Sequence, residues 1–105
     1  MDQKLLVAFQ EQLSSQRKAR LAECGWRLVD AEEAEMIEGG LRERYSYRNL
    51  LPLLRRDDTD DVLCADLSSR PSNEAPVIQI HNYAEPGWEN EGEWPDLNEW
   101  ARGLD

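Results

Sequence analysis

His81 is the only histidine in this 105-residue chain. It stands between an apolar run, Val77-Ile78-Gln79-Ile80, and an acidic stretch. A carboxylate beside such a ring would orient it and raise its basicity, which is the setting of a general base. A nucleophile would have to accompany it, and the two cysteines supply the thiols. Cys64 lies between Leu63 and Ala65, the surroundings of a buried small hydrophobe rather than of an activated thiolate. Cys24 precedes Gly25 and is expected to be half-buried. The spacing of the cysteines and His81 supports neither a disulfide nor a metal centre. No enzymatic activity, cofactor or metal is therefore expected.

Two groups of carboxylates offer a different chemistry. Asp57, Asp58, Asp60 and Asp61 crowd one polar turn. Such a group suits a hard cation, but the turn lacks the central Gly and closing Glu of an EF-hand loop. The better reading is a solvated turn whose like charges repel, partly neutralised by Arg55 and Arg56, and which a basic partner would relieve. Farther on, Glu85, Glu89, Glu91 and Glu93 interleave with Trp88 and Trp94. Carboxylates set among aromatic rings suit a protein interface, with the ring as anchor and the charges as specificity. Trp88, between Gly87 and Glu89, is the anchor candidate, whereas Trp94 is expected to fold back on the sheet. Paired carboxylates also serve glycosidases, but nothing else here resembles a sugar cleft. The expected partner-binding residues are thus Asp57, Asp58, Asp60, Asp61, Glu85, Trp88, Glu89, Glu91 and Glu93.

The charge distribution agrees with this. Residues 1–56 hold ten Lys/Arg against nine Asp/Glu, whereas residues 57–105 hold two against thirteen, so a second half of −11 and a first half of +1 make up the net charge of −10. An acidic surface on an aromatic-containing scaffold meets a basic protein by electrostatic steering. It argues against direct binding of nucleic acid, which needs cations to neutralise phosphate. The cluster Arg42, Arg44, Tyr45, Tyr47 and Arg48 is the one basic-aromatic exception. Glu43 and the overall charge weaken it, so it is expected to pack its Tyr rings.

These residues need elements to position them. Apolar spacing predicts a helix over residues 2–24, with Ser14-Ser15 as a weak point and Gly25 as its stop. Residues 26–29 form a linker or short edge strand. Asp30, with Glu33 three residues on, caps a second helix that ends at Gly39-Gly40. Strands follow at 50–56, 62–67 and 77–81, with Pro52 marking an edge or the strand's start and a loop over 68–76. Short connections make these strands an antiparallel meander. Residues 83–95 read as an irregular acidic loop, and Asp96 with Glu99 caps a closing helix bearing Leu97, Trp100, Ala101 and Leu104. The expected fold is one α+β domain over residues 1–105, a meander sheet packed by N-terminal and C-terminal helices. No apolar run reaches the roughly 20 residues of a membrane span and no signal-peptide pattern is visible. A cytoplasmic monomer or weak dimer is expected, with residues 50–54 as an exposed pairing edge.

Leu51-Pro52-Leu53, the Asp-rich turn, Val62-Leu63-Cys64-Ala65-Asp66-Leu67-Ser68, Pro76-Val77-Ile78 with His81, and Leu97-Asn98-Glu99-Trp100 together resemble the SUKH superfamily of the Smi/Knr type. The resemblance covers about half of the chain. It implies an α+β fold and an immunity protein that neutralises a cognate bacterial toxin, often a nuclease and hence often basic. Such proteins act in contact-dependent inhibition by stoichiometric occlusion. Other members scaffold or regulate endogenous proteins, which is the alternative expectation.

Overall fold

The run Leu50-Leu51-Pro52-Leu53-Leu54 has no polar residue at either parity, so a strand made from it needs cover on both faces. The computed structural model, which describes residues 3–68 and 72–105, provides that cover. In chain order the elements are helices α1 (Gln3–Gln10) and α2 (Ser15–Leu21), a 3-10 turn (Ala22–Cys24), strand β1 (Trp26–Leu28) and helix α3 (Ala31–Arg44). Strands β2 (Leu50–Arg56), β3 (Asp61–Asp66), β4 (Val77–His81) and β5 (Asn90–Trp94) follow, then helix α4 (Leu97–Ala101) and a 3-10 turn (Arg102–Leu104). The strands form one antiparallel sheet in the order β1-β2-β3-β4-β5. The α+β class and the meander are as expected; β1 takes the strand alternative for residues 26–29, and β5 is a strand that the sequence did not announce.

The sheet is sandwiched. On one face Leu6 and Phe9 of α1, Leu21 of α2 and Leu97 and Trp100 of α4 pack against Leu51, Leu63 and Val77. On the other, Leu41 of α3 and Tyr45 just after it cover Leu50, Val62, Cys64, Ile78 and Ile80. Each such Leu, Ile or Val stabilises the fold by about 1.5–3 kcal/mol relative to exposure. Trp26 and Trp100 meet edge to face at 5.5 Å, which welds β1 to α4. A bulge between Pro52 and Leu54 turns Leu53 and Leu54 both toward the first face, since a bulge places two successive residues on one side.

Four local expectations change. The first helix is broken: Ser14 accepts the N–H of Arg17 at 3.2 Å and caps a new helix. The expected start at Asp2 lies outside the described residues, as do positions 69–71 of the expected loop. Gly39-Gly40 do not end α3, which runs to Arg44. Burial of Leu41, 2% exposed, outweighs the cost of about 1 kcal/mol per helical glycine. Of the two expectations for Pro52, a place near the strand's start holds and a free edge does not. β1 pairs only with Leu54–Arg56, and beyond its end α1 covers the strand, with Gln10 Nε2 donating to Val29 O at 2.8 Å and Leu53 O at 3.1 Å. Residues 50–54 are all buried, so they offer no pairing edge. The exposed edge is β5, where Asn90, Glu91 and Glu93 face solvent. Both expected caps form, with Asp30 accepting from Glu33 N and Asp96 from Glu99 N, each at 2.8 Å. Among the described residues no helix is long and apolar enough to cross a membrane.

Candidate functional site

The acidic residues converge on one end of the sheet, at the β2–β3 turn and the β4–β5 connection, and they fall into two kinds. Some are tied into the fold and shape it; others stand out from it. Glu89 is of the first kind. It is 1% exposed. Its Oε2 accepts the Tyr47 hydroxyl at 2.6 Å and Arg48 Nε at 2.7 Å, and its Oε1 accepts Gly87 N at 2.6 Å. Burial pushes the carboxyl pKa up, but these donors outweigh it and hold the group at about 2. Glu89 is therefore not the surface contact expected from the sequence. It is an internal strut that fixes the β4–β5 connection to the segment after α3.

That strut presents its neighbour. Trp88 is 78% exposed, and its N–H closes a turn onto Glu85 O at 2.9 Å. Gly87 has φ +100°, a conformation that favours glycine. Tyr47 lies beside this turn, its hydroxyl accepting Gly87 N at 3.1 Å, while much of its ring faces solvent. Glu85, Glu91 and Glu93 are exposed. Trp94, in contrast, packs against the main core, as expected. Gly92 is required below it, since a Cβ there would sit 2.9 Å from the Trp94 ring.

The β2–β3 turn is similarly divided. Arg27 Nε holds Asp57 at 3.0 Å while its two terminal nitrogens grip Glu33 at 2.6 and 2.7 Å. Arg55 reaches the same Glu33 at 3.1 Å. Arg56 holds Asp58 at 2.9 Å, so the neutralisation by Arg55 and Arg56 is real. Asp57, Asp58 and Asp60 remain on the surface. Asp61 is half-buried and turned toward the sheet: one oxygen meets His81 Nδ1 at 2.8 Å and the other accepts Gln79 Nε2 at 3.0 Å. The hydrogen bond to Asp61 raises the His81 pKa above its ordinary value. Beside the turn a cleft of about 250 Å³ is lined by Met36, Ile37, Arg44, Asp60 and Tyr83, with Met36 and Tyr83 largely exposed.

A catalytic pairing of His81 with Cys64 does not arise. Cys64 pairs with Ile78 and lies on the face covered by Leu41 and Tyr45, whereas His81 pairs with Asp61 on the opposite parity. Burial also pushes the Cys64 thiol far above its ordinary pKa. The basic-aromatic cluster is tied down by local partners, and of its two Tyr rings only Tyr45 packs inside as expected, while Tyr47 stays 60% exposed. Arg42 pairs with Glu38, Arg48 with Glu89, and Arg44 donates to Asn82 Oδ1 at 2.6 Å while stacking 4.2 Å from the Tyr83 ring. Tyr45 is fully buried and donates to Ala84 O at 2.6 Å.

One constellation escaped the sequence reading. Asp61, His81 and Glu91 each bring a ligand atom within 4.8 Å of the others. The signal was a strand hidden in the acidic loop, Asn90-Glu91-Gly92-Glu93-Trp94, which has alternation but none of the β-branched residues that mark a strand. In comparison with known proteins, no family model, curated protein or solved structure matches the chain.

Proposed function

We propose that this chain is an immunity protein of the SUKH type that binds a basic, nuclease-class toxin and occludes it stoichiometrically, without turnover. The observation that carries the reading is Trp88: a large apolar ring, 78% exposed, on a turn held in place by buried Glu89, in a segment that also bears the exposed carboxylates Glu85, Glu91 and Glu93. An indole on a backbone turn held in advance spares part of the ordering cost of binding and makes an effective anchor. These carboxylates give the approach its speed and its preference for Lys and Arg. Asp60, with Asp57 and Asp58 in part offset by Arg27 and Arg56, extends the same negative field. The net charge of −10 favours such a partner over nucleic acid.

The test is protection. A toxin gene beside this one is expressed in cells with the intact chain, with Trp88→Ala, or with Glu85→Lys and Glu93→Lys together. Survival with the intact chain and killing with either variant supports the reading. Killing despite the intact chain rejects it, and a resident, non-toxic partner would instead make the chain a regulatory or scaffold module.

A further inference from the structure

We infer that Asp61, His81 and Glu91 form a site for a divalent first-row transition-metal ion of the Zn²⁺ class, with its remaining coordination positions open to solvent. The inference stands independently of the toxin reading. Three neighbouring strands supply one ligand each. Asp61 opens β3 and sits directly opposite His81, the last residue of β4. Glu91 comes from β5 through an irregularity: Gln79 pairs with Gly92 but Ile80 pairs with Asn90, which leaves Glu91 as the extra residue of a bulge. A regular strand would alternate Glu91 and Gly92 across the sheet, whereas a bulge puts two successive residues on one side. Glu91 thereby joins His81 and Asp61, and the three ligand atoms lie within 4.8 Å of one another.

The donor set and spacing fit such an ion. One imidazole nitrogen and two carboxylate oxygens match the nitrogen–oxygen ligation of Zn²⁺, Co²⁺ or Mn²⁺, while the nitrogen disfavours Ca²⁺ and Mg²⁺, which take oxygen ligands. His81 Nδ1 and Asp61 Oδ1 are 2.8 Å apart. Two ligands of a tetrahedral ion, each about 2.1 Å from it, are about 3.4 Å apart, so the ring and the carboxylate exchange their mutual hydrogen bond for the ion by parting about 0.6 Å. Asp61 is also oriented from behind, its second oxygen held by Gln79 Nε2 at 3.0 Å, the outer support that ligating carboxylates commonly have. His81 and Glu91 reach solvent, which gives an ion its entry path and leaves room for water or for a partner's donor.

The test is calorimetric titration of the full chain with ZnCl₂, repeated with CoCl₂ and followed by visible absorption, with CaCl₂ as the control. The expected result is saturable binding of one Zn²⁺ or Co²⁺ per chain and none of Ca²⁺. His81→Ala removes the binding, and Gln79→Leu weakens it by roughly tenfold by releasing the Asp61 carboxylate. Glu91→Gln, at an exposed edge, keeps the fold and also weakens binding, which guards against a His81 variant that does not fold. Absence of saturable binding at millimolar ion would overturn the site. So would equal affinity in wild type and His81→Ala, which would mean that ions merely collect on the acidic turn.

Discussion

Arg48 Nε donates to Glu89 Oε2 at 2.7 Å across 41 residues of chain. The bond joins the segment after α3 to the start of β5 and takes a carboxylate that the sequence reading assigned to the surface into the interior. Because Glu89 faces in, the next residue back, Trp88, faces out. The exposed anchor and the buried strut are two consequences of one local geometry.

Glu89→Gln removes the charge from this site and leaves Arg48 and the Tyr47 hydroxyl facing a weaker acceptor. We expect a loss of about 2–3 kcal/mol, less than for a fully buried pair because the Arg48 side chain keeps some contact with water. Urea denaturation of the variant against wild type checks it. A loss below about 0.5 kcal/mol, the range of ordinary surface substitutions, would mean that Glu89 does not brace the loop.

The same group sets an acid limit. The Glu89 pKa is held at about 2 in the fold, below its ordinary value in an unfolded chain. A depressed carboxyl contributes stability that is present above the unfolded pKa and lost as pH falls through the folded one. From about pH 4.5 down to about pH 2 this contribution, about 3 kcal/mol, should disappear. Denaturation midpoints measured across that window should fall in wild type and be flatter in Glu89→Gln. Parallel curves would contradict the assignment.

Trp88→Ala should separate folding from recognition. The ring is exposed, so stability should stay within about 0.5 kcal/mol of wild type. Binding of the partner should weaken by about 2 kcal/mol or more, the scale of an interface hot spot. Thermal melting and a binding isotherm on the same preparation check both halves. A large loss of stability would place the indole in the core instead.

The two glycines of α3 should respond oppositely. A Cβ on Gly39 meets nothing within 4 Å, whereas one on Gly40 would lie 2.8 Å from Arg44 Nη2. Gly39→Ala should therefore stabilise by about 0.5–1 kcal/mol through helix propensity. Gly40→Ala should lose that gain by displacing Arg44 from Asn82. Melting temperatures of the two variants check the contrast, and equal shifts would contradict it.

Much of this was legible in the chain, and what was not has physical causes. Asp30 and Asp96 announced their helices because a cap is a local bond between residues three apart. The strands over 50–56 and 77–81 announced themselves by apolar content. β5 did not, since an exposed edge strand needs no apolar face and charged residues there protect it from pairing. Gly39-Gly40 misled because the burial of Leu41 is a tertiary effect. Glu89 looked like its neighbours Glu85, Glu91 and Glu93, and only the distant pair Tyr47 and Arg48 distinguishes it. Asp61, His81 and Glu91 lie far apart in sequence and meet through strand pairing and a bulge, neither of which a spacing rule reveals.

The most direct test of the central claim is capture from native lysate by the tagged chain, run in parallel with Trp88→Ala and washed at low and high salt, with mass spectrometry as the readout. The account predicts one basic, toxin-type protein retained by the wild type at low salt, released as salt screens the carboxylates, and not retained by Trp88→Ala. A partner that Trp88→Ala holds equally well, or whose retention ignores salt, would contradict it.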